Sequence, residues 1–462
     1  MHMEGSYMKA IILAAGHGTR MRSNTQKVMH PILGKPIVEY VSDACKNAGI
    51  TDITLVVGNE NEDIRTALPG YNYAIQTEQL GTGHAVQAAA WHIGADDDVL
   101  IIYGDMPLIT AEFISEFSAF YYEKNCAGAV AALYWPESKD FGRVYSGEDG
   151  LFEAIVEARD LKPQSPHTDW TNTGINIFKG AALLQGLSQM TNNNSQREFY
   201  LTDVPKILRD AGQMVYVYRS EEGVSTFTGI NTQAQLAEAA RHMRERINLR
   251  HMENGVRMLD PATTYIDSTV EIAQDVILYP GCILEGASKI LEGAIIGPHT
   301  HMRDTTVGKG TAVRQSVLTG AVVGDNSSIG PFAYLRPGAV TGNKCRIGNF
   351  VEIKNANIGE GTAMAHLAYI GDADVGRYVN FGCGAITVNY DGEKKHRTVI
   401  KDHAFIGSNA NLVAPVEIGE GALVAAGSTI TDNLPEYSLG IARKRQENKL
   451  NRENLRKRKK KG

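Results

Sequence analysis

Residues 400–430 read IKDHAFIGSNANLVAPVEIGEGALVAAGSTI, and Ile400, Ile406, Leu412, Ile418, Val424 and Ile430 return there at every sixth position. The same step runs through Ile266, Ile272, Leu278, Leu284, Ile290 and Ile296. With slipped phase it continues through Val323, Ile329 and Leu335 and through Ile358, Met364 and Ile370. A six-residue period matches neither a helix, at about 3.6 residues per turn, nor an ordinary strand, at about two. It predicts a parallel β-helix, whose stacked coils send one aliphatic per hexad into a shared core. The intervening Gly, Asn, Asp and small residues, as in Ile358-Gly359-Glu360-Gly361-Thr362, suit corners that need positive φ or tight bends. A run of short antiparallel strands would alternate every two residues instead.

Ahead of the solenoid the pattern is α/β. An apolar strand, Ala10–Leu13, meets the loop Ala14-Ala15-Gly16-His17-Gly18-Thr19-Arg20-Met21, and a helical segment covers about Pro36–Ala48. Short apolar runs at Ile53–Val57 and Val99–Tyr103, the second ending in Gly104-Asp105, read as buried parallel strands. Strands alternating with helices predict a doubly wound, Rossmann-like sheet with ligands at the carboxyl ends of its strands. Gly16-x-Gly18 opens like a dinucleotide fingerprint, but Met21 holds the third glycine position and no Walker Gly-Lys-Ser/Thr occurs. Such glycines either let backbone N–H groups approach phosphate, with Arg20 and Lys27 adding charge, or simply form a tight turn. Thr232–Gly255 reads as a helix with Leu236, Ala240, Met243 and Ile247 on one face, Asn231 or Thr232 capping its start and Gly255 its end. It is either a rigid arm between two domains or a helix packed on one of them. The boundaries expected are 8–231, a helical linker 232–255, a solenoid 256–445 and a tail 446–462.

A chain of 462 residues exceeds one ordinary core. Its 43% hydrophobic and 21% charged residues belong to a soluble globular protein, and a net charge of -6 argues against nucleic acid as the main partner. Five cysteines without CxxC spacing read as reduced thiols. No apolar run approaches the roughly 18 residues of a membrane span, and Ala10–Ala15 is too short for a signal-peptide core. A cytoplasmic location is expected. Residues Met1–Tyr7 read as an addition ahead of a second possible start at Met8, and the basic run Arg456–Lys461 reads as a solvated tail or an attractor of an anionic coenzyme.

The loop from Ala14, with Thr19-Arg20-Met21 and Lys27, resembles the signature of sugar-nucleotide pyrophosphorylases, with Gln26 where that family usually has proline. Gln76-Thr77-Glu78-Gln79-Leu80-Gly81-Thr82-Gly83-His84-Ala85 resembles the uridine-reading segment of N-acetylglucosamine-1-phosphate uridylyltransferases. Tyr103-Gly104-Asp105, Phe141-Gly142-Arg143, Ile155-Val156-Glu157, Thr171-Asn172-Thr173-Gly174 and Gly229-Ile230-Asn231 follow in that family's order. With the hexad repeat, nearly the whole chain is similar to the bifunctional uridylyltransferase–acetyltransferase family that makes UDP-N-acetylglucosamine for cell-wall and lipopolysaccharide-type precursors. The resemblance implies that Asp105 and Asn231 hold Mg²⁺, that Lys27 and Leu13, Ala14, Ala15 and Gly16 hold the triphosphate, and that Arg20 and Lys27 clamp charge in catalysis. It also implies that Gln76, Gly81 and Thr82 read uracil, that Tyr103 and Gly104 line the nucleotide site, and that Gly142, Glu157 and Asn172 grip the sugar. The dianionic sugar phosphate needs no general base to attack UTP, so gathering polyanions is the task.

The stretch from Asn380 to Arg397 breaks the hexads, and insertions in a stacked repeat leave as surface loops that often build sites. The same resemblance places an acetyl-CoA-dependent glucosamine-1-phosphate acetyltransferase there, in a left-handed coil assembled as a homotrimer with its acetyl sites between subunits. His366 matches the catalytic histidine, and an imidazole of ordinary pKa near 6.5 suits removal of a proton from an amine as it attacks a thioester. Arg336, Lys354, Tyr369, Asn380 and Lys395 match binders of the sugar phosphate. Cys383, Asn389, Tyr390, Ser408, Ala426 and Arg443 match positions lining the site on the acetyl-CoA side. Cys383 and Ala385 depart from the family pattern, which has a small residue and a threonine there. Two rivals stay open: a solenoid that only assembles subunits, and a nucleotidyltransferase for another sugar phosphate.

Overall fold

The computed structural model describes residues 8–448, apart from 17, 60–61, 139–140, 163–164 and 195. The expectations for residues 1–7 and for the tail beyond 448 therefore lie outside the described residues. The chain forms two compact units that divide between Met243 and Arg244, inside the helix Gln233–Glu253.

The first unit is built on a nine-stranded sheet. Its strands are β1 (Met8–Leu13), β2 (Asp52–Gly58), β3 (Asn72–Gln76), β4 (Asp98–Tyr103), β5 (Gly128–Tyr134), β6 (Arg143–Ser146), β7 (Phe152–Val156), β8 (Trp170–Lys179) and β9 (Val215–Ser220). The main order is β9-β5-β8-β4-β1-β2-β3, and β8 alone on this path runs antiparallel to its neighbours. Val99–Ile102 are wholly buried, as the uninterrupted apolar run requires of a strand covered on both faces. Two helices matter for the site: α1 (Ile37–Asn47), which packs Val38, Val41 and Cys45 inward, and α2 (Thr82–Ala88). From β1 the chain adds β2 and β3 on one side, then returns to lay β4 on the other. The carboxyl ends of β1 and β4 thus flank a topological switch point, where open α/β sheets bind ligands.

Helix α3 (Gln233–Glu253) buries Ala239, Met243 and Ile247. Thr232 starts it: its Oγ1 accepts from Gln235 N–H at 3.2 Å, while Gln235 Oε1 accepts from Asn231 N–H at 2.8 Å. This exchange is close to a capping box and fixes the backbone at Asn231. Gly255, at φ 89°, closes the other end, its N–H donating to Met252 O at 3.0 Å.

In the second unit each short strand pairs in parallel with the third one after it, so a coil has three faces and each hexad supplies one. One inward column runs Ile266, Leu284, Met302, Leu318, Leu335, Ile353, Ile370, in register from coil to coil and fully buried. Ile272, on a coil near the start of the solenoid, is only partly buried. Small residues precede the aliphatics and fill the corners: Cys282, Ala294, Ser327, Cys345, Thr362 and Ala410 are buried there. Ala385, where the resemblance expected threonine, is buried in the same role, its carbonyl accepting from Tyr369 N–H at 3.1 Å. At the centre lie two long strands, β10 (Arg346–Ile358) and β11 (Ala363–Val375), paired along their length. They are followed by β12 (Asn380–Phe381), β13 (Ile386–Val388) and β14 (Thr398–Ile400). Val375 pairs with Ile400, so this coil is longer than its neighbours, and the excess leaves as the loop between β13 and β14.

Candidate active sites

Leu13 and Tyr103 are register partners at the ends of β1 and β4, and Gly104 N–H donates to Leu13 O at 2.9 Å. The loops that follow lie side by side at the switch point and floor a cleft of two adjoining lobes. Leu13, Ala14, Ala15, Gly16, Lys27, Gln76 and Gly81 line one lobe, of about 290 Å³. Gly142, Glu157, Asn172 and Asn231 line the other, of about 370 Å³. Thr82, Tyr103 and Asp105 belong to both. Together the lobes have the size of a small-molecule site. Arg20, exposed on the turn Thr19–Met21, lines neither. Gln26 has φ −54°, inside the range a proline ring would impose, so the backbone before Lys27 takes a proline-compatible angle without the ring.

Three residues far apart in sequence converge where the lobes meet. Lys27 Nζ donates to Asp105 Oδ2 at 2.5 Å and to Asn231 Oδ1 at 3.2 Å. Backbone contact makes this possible: Ile230 N–H donates to Asp105 O at 2.9 Å, and a Cβ on Gly229 would lie only 3.1 Å from Asp105 Oδ1. A carboxylate and an amide oxygen aimed at one cation are the hard oxygen donors that Mg²⁺ takes, with water and phosphate completing its shell. The donor set therefore fits the metal.

At the other end of the first lobe, Gln76 Nε2 donates to Gly81 O at 3.1 Å, and Gln79 Nε2 to Ala15 O at 2.5 Å, tying the segment before α2 to the loop after β1. Thr82 Oγ1 accepts from Leu201 N–H at 3.1 Å. Gly81 has φ 112°, and a Cβ there would sit 2.5 Å from Phe199 O. Backbone strain of that kind costs about 1–3 kcal/mol. Gly81→Ala should therefore lower kcat/KM for UTP by roughly tenfold or more, since about 1.4 kcal/mol is a factor of ten. Initial rates against nucleotide concentration check it.

In the second lobe Glu157 Oε1 accepts from Thr202 Oγ1 at 3.0 Å. Burial raises its carboxyl pKa against that hydrogen bond, and the charges of Asp160 and Asp203 raise it further. Tyr103 is pushed up as well, by burial first and then by Glu157 and Asp105. An acid whose folded pKa is raised contributes stability that is complete below its unfolded pKa and is lost as pH rises through the folded one. Glu157→Gln should accordingly raise the melting temperature more at pH 8 than at pH 4, while raising KM for the sugar phosphate. Thermal unfolding at the two pH values separates the effects. Thr202, Glu198 and Tyr200 also line the cleft but were not singled out in the sequence, where nothing in their local pattern marks them.

On the solenoid, His366 stands exposed on β11, with Nδ1 2.7 Å from Asn349 Oδ1 on β10. Past the corner at Leu367, Arg336, Lys354 and Lys395 form a cationic patch beside Tyr369. Arg336 Nη1 donates to Glu352 Oε1 at 2.8 Å. Contact with the Lys395 ammonium, then its charge, pushes Lys354 below the ordinary lysine value, with Arg336 adding to the effect. Cations crowded this way favour a bound anion. The loop between β13 and β14 is fixed at both ends. Asn389 donates to Asp372, which also accepts from Asn355 Nδ2 at 2.5 Å, and Arg397 grips Asp374 with two guanidinium nitrogens. Burial would raise the Asp372 carboxyl, but the Asn355 and Asn389 hydrogen bonds and the Lys395 and Lys354 charges bring it below the ordinary value. Asn380, Cys383, Tyr390, Ser408, Ala426 and Arg443 are exposed along the following coils. A Cβ on Gly382 would meet Ser408 N at 2.4 Å, and one on Gly407 would meet Ala426 N at 2.5 Å, so backbone there packs edge to edge.

A sheet with its cleft at the switch point, joined to a three-faced hexad solenoid consistent with a left-handed β-helix, defines a bifunctional transferase: a nucleotidyltransferase followed by a hexapeptide-repeat acetyltransferase. Residues 10–163 match the MobA-like NTP transferase domain, and residues 320–355 and 397–432 match the bacterial transferase hexapeptide model of six repeats. The chain is 46% identical over 444 residues to a Bifunctional protein GlmU of Geobacillus sp. (strain WCH70), which covers 96% of each chain. It is 45% identical over 442 residues to that of Bacillus velezensis, covering 95% of this chain and 97% of the relative. With that of Brevibacillus brevis it shares 43% over 447 residues, covering 96% and 97%. The chain belongs to the bifunctional GlmU family.

Proposed function

We propose that the second unit transfers the acetyl group of acetyl-CoA to the amine of glucosamine 1-phosphate and that the first unit couples the product to UTP, giving UDP-N-acetylglucosamine and pyrophosphate. The convergence of Lys27, Asp105 and Asn231 at the meeting of the two lobes carries this reading, because nucleotidyl transfer demands cation-binding groups between nucleotide and sugar phosphate.

In the acetyl step the neutral amine attacks the thioester carbonyl, a C–N bond forms, the C–S bond breaks and His366 accepts the amine proton. Lys354, Lys395 and Arg336 hold the phosphate, and their charge favours its dianion. In the uridylyl step a phosphate oxygen of the acetylated sugar attacks the α-phosphorus of UTP, and the bond to pyrophosphate breaks. Lys27 and the backbone of Leu13–Gly16 position the triphosphate, Gln76, Gly81 and Thr82 the base, and Gly142, Glu157 and Asn172 the sugar. Mg²⁺, when bound, would be held by Asp105 and Asn231 and would neutralise phosphate charge. Arg20, exposed on the turn after the same loop, adds a second charge clamp for the polyanions beside Lys27.

Assembly as a homotrimer, with acetyl sites shared between copies, fits a solenoid whose cationic patch stands open on a single chain. A cytoplasmic setting fits substrates made there, and no helix among the described residues is long and apolar enough to cross a membrane. The test is one assay with glucosamine 1-phosphate, acetyl-CoA, UTP and Mg²⁺, following thiol and pyrophosphate release. Pyrophosphate should appear only after thiol. Equal uridylyl transfer to unacetylated glucosamine 1-phosphate or to glucose 1-phosphate would reject the sugar assignment.

A further inference from the structure

Asn349 and His366 are register partners on adjacent coils, and Asn349 Oδ1 lies 2.7 Å from His366 Nδ1. An amide oxygen can only accept, so the ring nitrogen facing it carries the proton and the other, Nε2, is left with its lone pair. Asn349 is half-buried and His366 exposed, so their hydrogen bond contributes little to the stability of the coil. The coil is already held by its backbone ladder and its aliphatic column. Among the described residues Asn349 is the hydrogen-bond partner of this ring, and the charged neighbours are engaged elsewhere. On β10, Glu352 is bound by Arg336, Lys354 faces Lys395, and Arg346 lies three positions before Asn349. On β11 itself, Asp372 and Asp374 are held by Asn355, Asn389 and Arg397, and Tyr369 lies past the Leu367 corner. Cys383 lies in the next coil, beside Gly384, whose N–H donates to Leu367 O. Strands β12, β13 and β14 carry no titratable side chain.

We propose that Asn349 is a positioning residue for acetyl transfer, holding the Nδ1–H of His366 so that Nε2 is the atom that takes the proton of the attacking amine. This rests on the acetyltransferase reading of the second unit. The proton balance is simple: Nε2 gains the amine proton, Nδ1 keeps its own, and the imidazolium stays bound to a neutral amide dipole until Nε2 gives its proton to the departing thiolate or to water.

The full chain is tested in three variants, Asn349→Ala, Asn349→Asp and His366→Ala. Acetyl transfer is followed against pH, with thermal unfolding of the full chain as the control for folding and uridylyl transfer as the control for the first unit. Asn349→Ala should lower kcat tenfold or more with both KM values within twofold. That loss is part of the roughly 10²–10⁴-fold that general-base catalysis supplies. Asn349→Asp keeps an acceptor oxygen and should recover most of the rate at high pH, but its carboxylate favours the imidazolium and moves the acid limb of the profile upward. In a ¹⁵N-histidine spectrum of the unsubstituted protein, the signals lost in His366→Ala should report the Nδ1–H tautomer. An Nε2–H tautomer, or Asn349→Ala with the parental kcat and pH profile, overturns the proposal. Unchanged acetylation in His366→Ala overturns the acetyltransferase assignment of that histidine instead, so the two failures are distinct.

Discussion

His366→Ala should lower acetyl transfer by about 10²–10⁴-fold, the range general-base catalysis supplies, and leave uridylyl transfer within twofold. The amine of glucosamine 1-phosphate is a nucleophile only after losing a proton, and in the variant nothing at the site accepts it. The acid limb that His366 gives the parent profile should vanish, leaving only the rise set by the fraction of neutral amine, which both proteins need. The histidine is exposed and sits outside the aliphatic column, so the melting temperature should hold; exposed substitutions fall within about ±0.5 kcal/mol. Thiol release from acetyl-CoA measures the first activity and pyrophosphate release the second. A parallel loss of both would mean that the substitution disturbs the fold rather than the chemistry.

The hexads were legible because a coil repeats the same burial six residues on. The hexad aliphatics Ile400, Ile406, Leu412, Ile418, Val424 and Ile430 are in the core, as are Val323, Ile329, Leu335, Ile358, Met364 and Ile370. Ile272, on a coil near the start of the stack, is the hexad aliphatic that is only partly buried. In the first unit the apolar strands were legible as buried, but nothing local told that β8 runs antiparallel. Its Trp170–Lys179 run has the same buried character as a parallel strand. The meeting of Lys27, Asp105 and Asn231 lies beyond any spacing argument, since it depends on Ile230 donating to the backbone at Asp105. Resemblance named these residues, and the hydrogen bonds explain why they meet. Asn349 was missed although a signal existed: in a stacked coil the partner of a functional residue sits one coil away at the same point of the hexad. Arg20, in the same motif as Lys27, is exposed and lines neither lobe.

Asp105→Asn should reverse the pattern of His366→Ala, lowering uridylyl transfer by about 10²–10³-fold while acetyl transfer stays within twofold. Two losses add. The amide cannot offer the charge that the cation site needs, and the Lys27 ammonium, now paired 2.5 Å from Asp105 with side-chain exposures of only 12% and 16%, loses its counter-charge. Removing one partner of a hydrogen-bonded pair of this kind costs about 1.5–3 kcal/mol, below the 3–5 kcal/mol of a sealed ion pair because both groups still meet water. Unfolding of the first unit should therefore move to lower temperature by several degrees, and excess Mg²⁺ should restore little of the rate. Asn231→Ala removes the 3.2 Å contact to Lys27, a long 3.4 Å hydrogen bond to Gly229 O and one neutral oxygen, so it should lose activity but little stability. The two variants together separate charge from coordination. If Asp105→Asn is as stable and as active as the parent chain, the cation at the meeting of the two lobes is not what gathers the substrates, and the uridylyl reading of this cleft falls with it.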